Sequence, residues 1–285
     1  MNSGIRSVNM GFSFEDFDED ELQELLADVF ARTGYDFRSY SQASVKRRVA
    51  RLIDSYGFTT VRQLWSKLRS EKAFEREFVE SLSVPTTAMF RDPNVWKLLR
   101  ERVLPELSMQ PVIRVWSAGA STGEEAYSIA ILLAEAGLYE RSRIYATDIN
   151  EELLNKARLG VFPIRLMPDY IVNYLEGGGT EEFSSYYTSA YDRVMFKEKL
   201  KKNLIFAHHN LAIDGSFNEF SLIFCRNVLI YFNHELQERV HGLLDGSLSP
   251  SGYLVLGEKE SLPRSTARGA YHQVRRPLKV YQKAT

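Results

Sequence analysis

Two glutamates at the start of a helix and an aspartate at the end of a strand are the residues whose types and spacing suit chemistry. Glu124 and Glu125 follow Gly119 and Gly123 in RVWSAGASTGEEAYSIAILLAEAG, residues 114–137, and Asp148 ends the run Ile144-Tyr145-Ala146-Thr147-Asp148 about 25 residues past that turn. The turn falls short of G-x-G-x-x-G and has no Lys-Ser/Thr after its last glycine, which argues against a phosphate ligand. Carboxylates at a helix N-terminus stand where a dinucleotide site puts pyrophosphate; they repel it and favour a cation. A carboxylate ending the second strand commonly takes ribose hydroxyls. Adenosine with a positive charge and no phosphate is S-adenosylmethionine, whose sulfonium and ammonium suit carboxylate neighbours. For either glutamate alone, complementing the helix dipole is an equal explanation; Asp148 weighs against it.

These residues need a strand, a tight turn and a helix to position them. Val112, Ile113, Val115 and Trp116 read as a strand covered on both faces, and Ser117 to Gly123 are small. Gly119 and Gly123, lacking Cβ, let backbone N–H groups approach a ligand. Ala126, Ile129, Ala130, Leu133 and Ala134 then recur at helical spacing, so one stripe of the helix packs on the sheet. Further buried-strand runs, 203–207 and 220–225, lead into HHNLA and RNVLIYF at the carboxyl edge where open α/β sheets bind ligands. Asn210 and Asn227 are candidates for the adenine edge or the amino-acid part of the ligand, against the plainer reading that each satisfies a turn. His208 and His209 have no carboxylate or cysteine partner at ligand spacing, and no metal is expected. A helix over 233–248, a strand over 253–256 and two β segments near 271–281 complete the sheet.

The 285 residues suit two domains, and 36 basic against 37 acidic residues leave a net charge of −1. No global field recruits nucleic acid or an anionic membrane, so electrostatic recognition is local. A single cysteine, Cys225, excludes an internal disulfide framework and fits a reducing cytoplasm. No apolar run is long enough for a signal h-region or a bilayer span. A cytoplasmic monomer is expected.

Residues 15–84 read as an all-helical domain and 85–285 as an α/β domain carrying an insertion over about 160–202, where glycines and clustered aromatics indicate a strand-rich excursion. In the first domain, Asp20 with Gln23 resembles a capping box. The helix over 41–56 carries Val45, Val49, Leu52, Ile53 and Tyr56 on one face. About 100° per residue puts Arg47, Arg48 and Arg51 on roughly the opposite side, a local basic ridge or an ordinary solvated face. Pro85 and Pro93 make 81–96 a loop entering a helix, with Thr87, Phe90 and Arg91 as ligand-facing candidates.

Together TTAMFRD (86–92), RVWSAGASTGEEAYSIA (114–130), YATDIN (145–150), HHNL (208–211) and FCRNVLIYF (224–232) resemble the chemotaxis-receptor glutamate methyltransferases, the CheR family, in order and at near-family spacing. The resemblance implies a helical N-terminal domain and a seven-stranded, Rossmann-like S-adenosylmethionine-dependent methyltransferase sheet with a small inserted β-subdomain. It implies methyl transfer to glutamates on the cytoplasmic helices of transmembrane chemoreceptors, with S-adenosylhomocysteine as product. By motif position it implies that Thr87, Arg91, Glu125, Asp148, Asn210, Leu211, Asn227 and Val228 line the cofactor site, with Gly119 in the turn. Tyr231 would lie beside the transferred methyl, with Arg91 nearby. Arg47, Arg48 and Arg51 then become candidates for docking an acidic methylation helix.

Two departures stand out. Pro85 replaces an asparagine that many relatives place two residues before the motif threonine, and Met89-Phe90-Arg91 replaces Phe-Phe-Arg. The competing functional readings are a same-fold methyltransferase with another acceptor and a catalytically weak cofactor-binding adaptor. Retention of Arg91, Glu125, Asp148, Asn227 and Tyr231 speaks against the adaptor.

Overall fold

A computed structural model describes residues 17–82, 87–263 and 270–285; Pro85 lies outside them. The described residues form two compact units, one of 17–82 with Tyr231–Asn233, the other of 87–230 with 234–263 and 270–285. Among the described residues no helix is long and apolar enough to cross a membrane.

The first unit holds four helices, α1 Glu19–Thr33, α2 Gln42–Ser55, α3 Val61–Ser70 and α4 Lys72–Leu82. Its core comprises apolar residues at helical spacing, among them Leu25, Val29, Val49, Ile53, Leu64 and Phe78, all fully buried. The N-cap of α1 is Asp18, not the expected Asp20: its carboxylate accepts from the amides of Asp20 and Glu21 at 2.9 and 3.3 Å. Gly34 ends the helix at φ +77, a conformation that costs glycine little. The segment Tyr231–Asn233 joins this unit as an antiparallel bridge, with the Ser41 amide donating to Tyr231 O at 2.7 Å and the Asn233 amide to Ser39 O at 3.0 Å.

The second unit opens with α5 Pro93–Leu98, which runs through a π-turn at Leu99–Val103 into α6 Leu104–Leu107. Its main sheet contains β1 Ile113–Ala118, β2 Ser142–Asp148, β6 Leu204–His208, β7 Phe220–Cys225, β8 Leu248–Leu256, β9 Tyr271–Gln273 and β10 Val280–Lys283. The order is β6-β2-β1-β7-β8-β10-β9; the first five strands are parallel, β10 runs antiparallel between β8 and β9, and β9 returns to the direction of the other strands, as in the seven-stranded methyltransferase sheet. The chain builds outward from β1 on one side and then from β7 on the other, so the topological switch point lies between them, where open sheets bind ligands. Register places Ala118 beside Thr147, and Asp148 beside His208, so the loops after β1, β2, β6 and β7 share one edge.

The insertion is a three-stranded antiparallel sheet, β3 Val161–Pro163, β5 Arg193–Phe196 and β4 Tyr187–Ala190, with a helix, Met167–Glu176. It changes the expectation for α7, Glu124–Glu135, which is buried nearly all round instead of along one stripe. The cause is a second layer: Phe162 and Phe196 pack on the Tyr127 ring at 5.7 and 5.1 Å between centroids. At the far end of α7, Glu135 accepts from the hydroxyls of Tyr174 and Tyr186 and pairs with Arg100 at 2.5 Å. A helix apolar on every side needs such a cover, which the insertion supplies. Removing the turn near Gly177–Ser185 would therefore also pull Phe183, 4% exposed, out of the core.

Candidate functional site

The loops after β1, β2, β6 and β7 meet at the carboxyl edge, and backbone strain concentrates in two of them and in the 87–92 loop. Among the described residues, Phe90, Asp92, Ser121 and Asn227 hold φ of +50 to +61, in the left-handed region that non-glycine residues avoid. Gly119 and Gly123 sit at φ +79 and +96. The turn after β1 folds back on β2, with the amides of Gly119 and Ala120 both donating to Thr147 O at 2.8 Å. A Cβ on Gly119 would come within 2.4 Å of Val228 Cγ2, and one on Gly123 within 2.8 Å of Ala157 Cβ. Glycine is thus required at both positions by conformation and by space.

Asp148 braces this turn. Its Oδ2 accepts from the Ser121 amide at 2.8 Å and its Oδ1 from the Asn150 amide at 2.9 Å. Burial raises the carboxyl above its ordinary range, and these amides oppose the rise. Each oxygen keeps acceptor capacity for a further donor, and Ser121 Oγ is buried without a partner among the described residues.

The two glutamates part company. Glu125 accepts from Ser117 Oγ at 2.8 Å and pairs with Arg226 Nη1 at 3.3 Å. Burial raises its carboxyl, and the Arg226 guanidinium and Ser117 hydroxyl pull it back. Glu124, 5% exposed, turns instead toward the insertion, meeting Thr122 Oγ1 at 2.6 Å and the Tyr170 hydroxyl at 3.4 Å. Only Glu125 of the pair stays in the network of the carboxyl edge.

Burial also raises the Glu124 carboxyl, so the folded chain holds that proton more tightly than the unfolded chain does. Its contribution to stability therefore grows as pH falls from neutral through the raised value, and levels off below the ordinary glutamate value. Glu124→Gln keeps the shape and removes the titration. Urea midpoints followed from about pH 4 to about pH 8 should show the wild type gaining stability relative to this variant as pH falls, and parallel curves would remove Glu124 from the linkage.

Arg226 is the hub that the sequence reading missed. Its side chain is 2% exposed; besides Glu125 it binds Asp92 Oδ2 at 2.6 Å, and Arg91 O at 2.9 Å through Nη2. It thereby ties the 87–92 loop to α7 and β7. The Phe90 amide donates to Ser128 Oγ at 3.0 Å, Trp96 Nε1 to Arg91 O at 2.9 Å and Asn173 Nδ2 to Met89 O at 3.0 Å. The Phe90 ring lies 5.1 Å from both Trp96 and Tyr174. Both ends of the Arg226–Asp92 pair stood inside quoted motifs, beside Asn227 and Arg91, but local spacing did not reveal that they meet.

Thr87 and Arg91 are half-buried in the loop that Arg226 holds. Asn210 is buried and satisfies its own turn: its amide donates to Asp214 Oδ2 at 2.7 Å and its Oδ1 accepts from the Ala212 amide at 2.9 Å. Leu211 is buried beside it, and Val228 closes on Gly119. His209 is a core residue, stacked edge-on to Trp116 at 5.3 Å, and among the described residues no cluster could hold a metal ion.

In the helical unit the three arginines separate. Arg47 and Arg51 are exposed on α2. Arg48 is half-buried, donates to Leu82 O and lies 5.1 Å over the Tyr231 ring. The cause is helical geometry, since Arg48 is only about 40° around the helix from Leu52 and flanks the apolar stripe.

The site offers carboxylates and the spare Ser121 hydroxyl beside a glycine turn whose Gly119, Ala120, Ser121 and Gly123 amides are already engaged within the protein, with no lysine after the glycine. Such a set fits hydroxyls and positive charge, as S-adenosylmethionine presents them, and not phosphate.

Comparison with known sequences agrees. The profile described as "CheR methyltransferase, all-alpha domain" matches residues 20–83, and "CheR methyltransferase, SAM binding domain" matches 85–276. "Putative methyltransferase Cher3" of Pseudomonas putida is 41% identical over 264 residues, covering 93% of this chain and 97% of that protein. "Chemotaxis protein methyltransferase" of Borreliella burgdorferi is 30% identical over 281 residues, with coverages of 92% and 94%. The Listeria innocua protein of the same name is 29% identical over 231 residues, with coverages of 80% and 85%. The fold and site define an S-adenosylmethionine-dependent methyltransferase. The chain belongs to the CheR methyltransferase family, which includes proteins named for chemotaxis.

Proposed function

We propose that this protein methylates glutamate side chains of chemoreceptors, giving glutamate 5-O-methyl esters. The observation that carries the reading is the joint match of the helical domain and the methyltransferase domain, nearly end to end, to relatives named chemotaxis protein methyltransferase. The chemistry supports it. A glutamate with a reference pKa of about 4.3 is ionised at neutral pH and needs no general base. Bound S-adenosylmethionine supplies an activated methyl group. The remaining work is alignment and partial exclusion of water, together worth several kcal/mol.

In this reading Asp148 takes ribose hydroxyls, and Glu125, Thr87, Arg91 and Gly119 line the rest of the cofactor with Asn210, Leu211, Asn227 and Val228. Arg91 orients the incoming carboxylate and the Tyr231 hydroxyl lies near the reacting atoms, its ring held by Arg48. The test is incubation with methyl-labelled cofactor and cytoplasmic receptor fragments, followed by mapping of base-labile label. Label that survives base, or that falls on another residue type, would replace the glutamate acceptor with a different one.

Arg47 and Arg51 are the docking residues in this reading, and Arg48 belongs to Tyr231 instead. Exposed charge pairs are worth about 0.2–1 kcal/mol each and weaken with salt. Arg47→Glu with Arg51→Glu should raise the KM for receptor fragments severalfold at low ionic strength, converge with wild type as salt rises, and leave cofactor affinity intact. An unchanged KM at low salt would make these residues an ordinary solvated face.

A further inference from the structure

We propose that Glu260 is a positioning residue that presets the cofactor-facing turn after β7, an inference resting on the reading of Asn227 and Val228 as cofactor contacts. The segment LGEKESL places two acids around a lysine; Glu258 and Lys259 are exposed, whereas Glu260 is 4% exposed. Four backbone amides converge on its carboxylate. Asn227 and Gly257 donate to Oε2 at 2.9 and 2.6 Å, and Leu229 and Ile230 donate to Oε1 at 2.8 and 3.3 Å. No cation pairs with it among the described residues, so its partners are these amides alone.

Gly257 makes the approach possible, because a Cβ there would meet Glu260 Oε2 at 2.7 Å and the Asn227 amide nitrogen at 2.8 Å. The Glu260 amide closes the tight turn by donating to Gly257 O at 2.9 Å. A carboxylate accepts at both oxygens, which is what four inward-pointing N–H groups require. With those amides held inward, Asn227 stays at φ +61 and Val228 stays against Gly119. A left-handed asparagine persists where its surroundings over-determine it, and Glu260 supplies that constraint.

The test is Glu260→Gln, whose amide accepts at one oxygen only and turns an NH2 toward two of the four donors. The expected result is a folded protein whose S-adenosylhomocysteine Kd and S-adenosylmethionine KM rise about tenfold or more, in line with losing charge-assisted bonds that hold the site. The KM for receptor fragments should hold. Hydrogen exchange at Asn227, Leu229 and Ile230 should quicken while the helix His234–Ser247 keeps its protection. Unchanged affinity and exchange would overturn the proposal. If the variant does not fold, the wild-type protein decides: amides of Asn227, Leu229 and Ile230 that exchange as fast as exposed loops would overturn it too. Absence of glutamate labelling would sink the acceptor reading and leave these measurements intact. An Asn227→Ala variant with wild-type Kd would sink the cofactor-contact reading, and exchange would still report on Glu260.

Discussion

Replacing Arg226 by methionine is expected to destabilise the methyltransferase unit by about 3–5 kcal/mol, the usual cost of leaving a buried partner charge unpaired. The main loss is at Glu125, whose side chain is 14% exposed; Asp92, at 37%, is partly solvated and adds little. At roughly 2–4 °C per kcal/mol for a domain of this size, thermal unfolding should shift by about 10 °C. The Arg91 carbonyl would lose its Nη2 donor at the same time, so the 87–92 loop should loosen and methyl transfer fall further than stability alone explains. Arg226→Lys should recover only part of this, because one ammonium cannot reproduce a guanidinium that binds two carboxylates and a carbonyl together. Calorimetry with transfer assays would check it; a methionine variant with a wild-type midpoint would show that the pair contributes no net stability.

Asp148→Ala is expected to weaken S-adenosylmethionine binding by roughly 1.5–3 kcal/mol, the range for a lost hydrogen bond to a charged group, or roughly 10- to 150-fold in Kd. Two effects act together. The ribose hydroxyls lose their proposed acceptor, and the Ser121 and Asn150 amides lose theirs at 2.8 and 2.9 Å. Asp148→Asn separates them, since its amide oxygen still accepts one backbone N–H, and its affinity should fall between wild type and Asp148→Ala. Titration calorimetry is the measurement. Unchanged affinity in folded Asp148→Ala would remove the residue from the site.

Local pattern alone determined a good deal about this protein. The apolar run before Gly119, the helical spacing after Gly123 and the acid ending the next strand already described a strand-turn-helix unit for a phosphate-free, positively charged nucleoside. The alternation of buried strands and helices, with β segments near the end, located the strands of an open α/β sheet, because residue type and period are local properties of a chain; the seven-stranded methyltransferase architecture came from the family resemblance. What pattern could not carry is which side chains meet across long separations. The Arg226 contacts to Glu125 and Asp92 span 101 and 134 residues, and the Glu260 contacts to Asn227, Leu229 and Ile230 span 33, 31 and 30. Burial likewise depends on what arrives on top: Glu124 and Glu125 are neighbours of one type, yet the insertion draws one to Tyr170 while Arg226 draws the other to the sheet edge. Arg48 left the basic ridge for the same reason, since a position flanking an apolar stripe is solvent-facing only until Tyr231 covers it. Tertiary packing made those choices, because a buried charge settles where partners satisfy it and the chain brings those partners together only on folding.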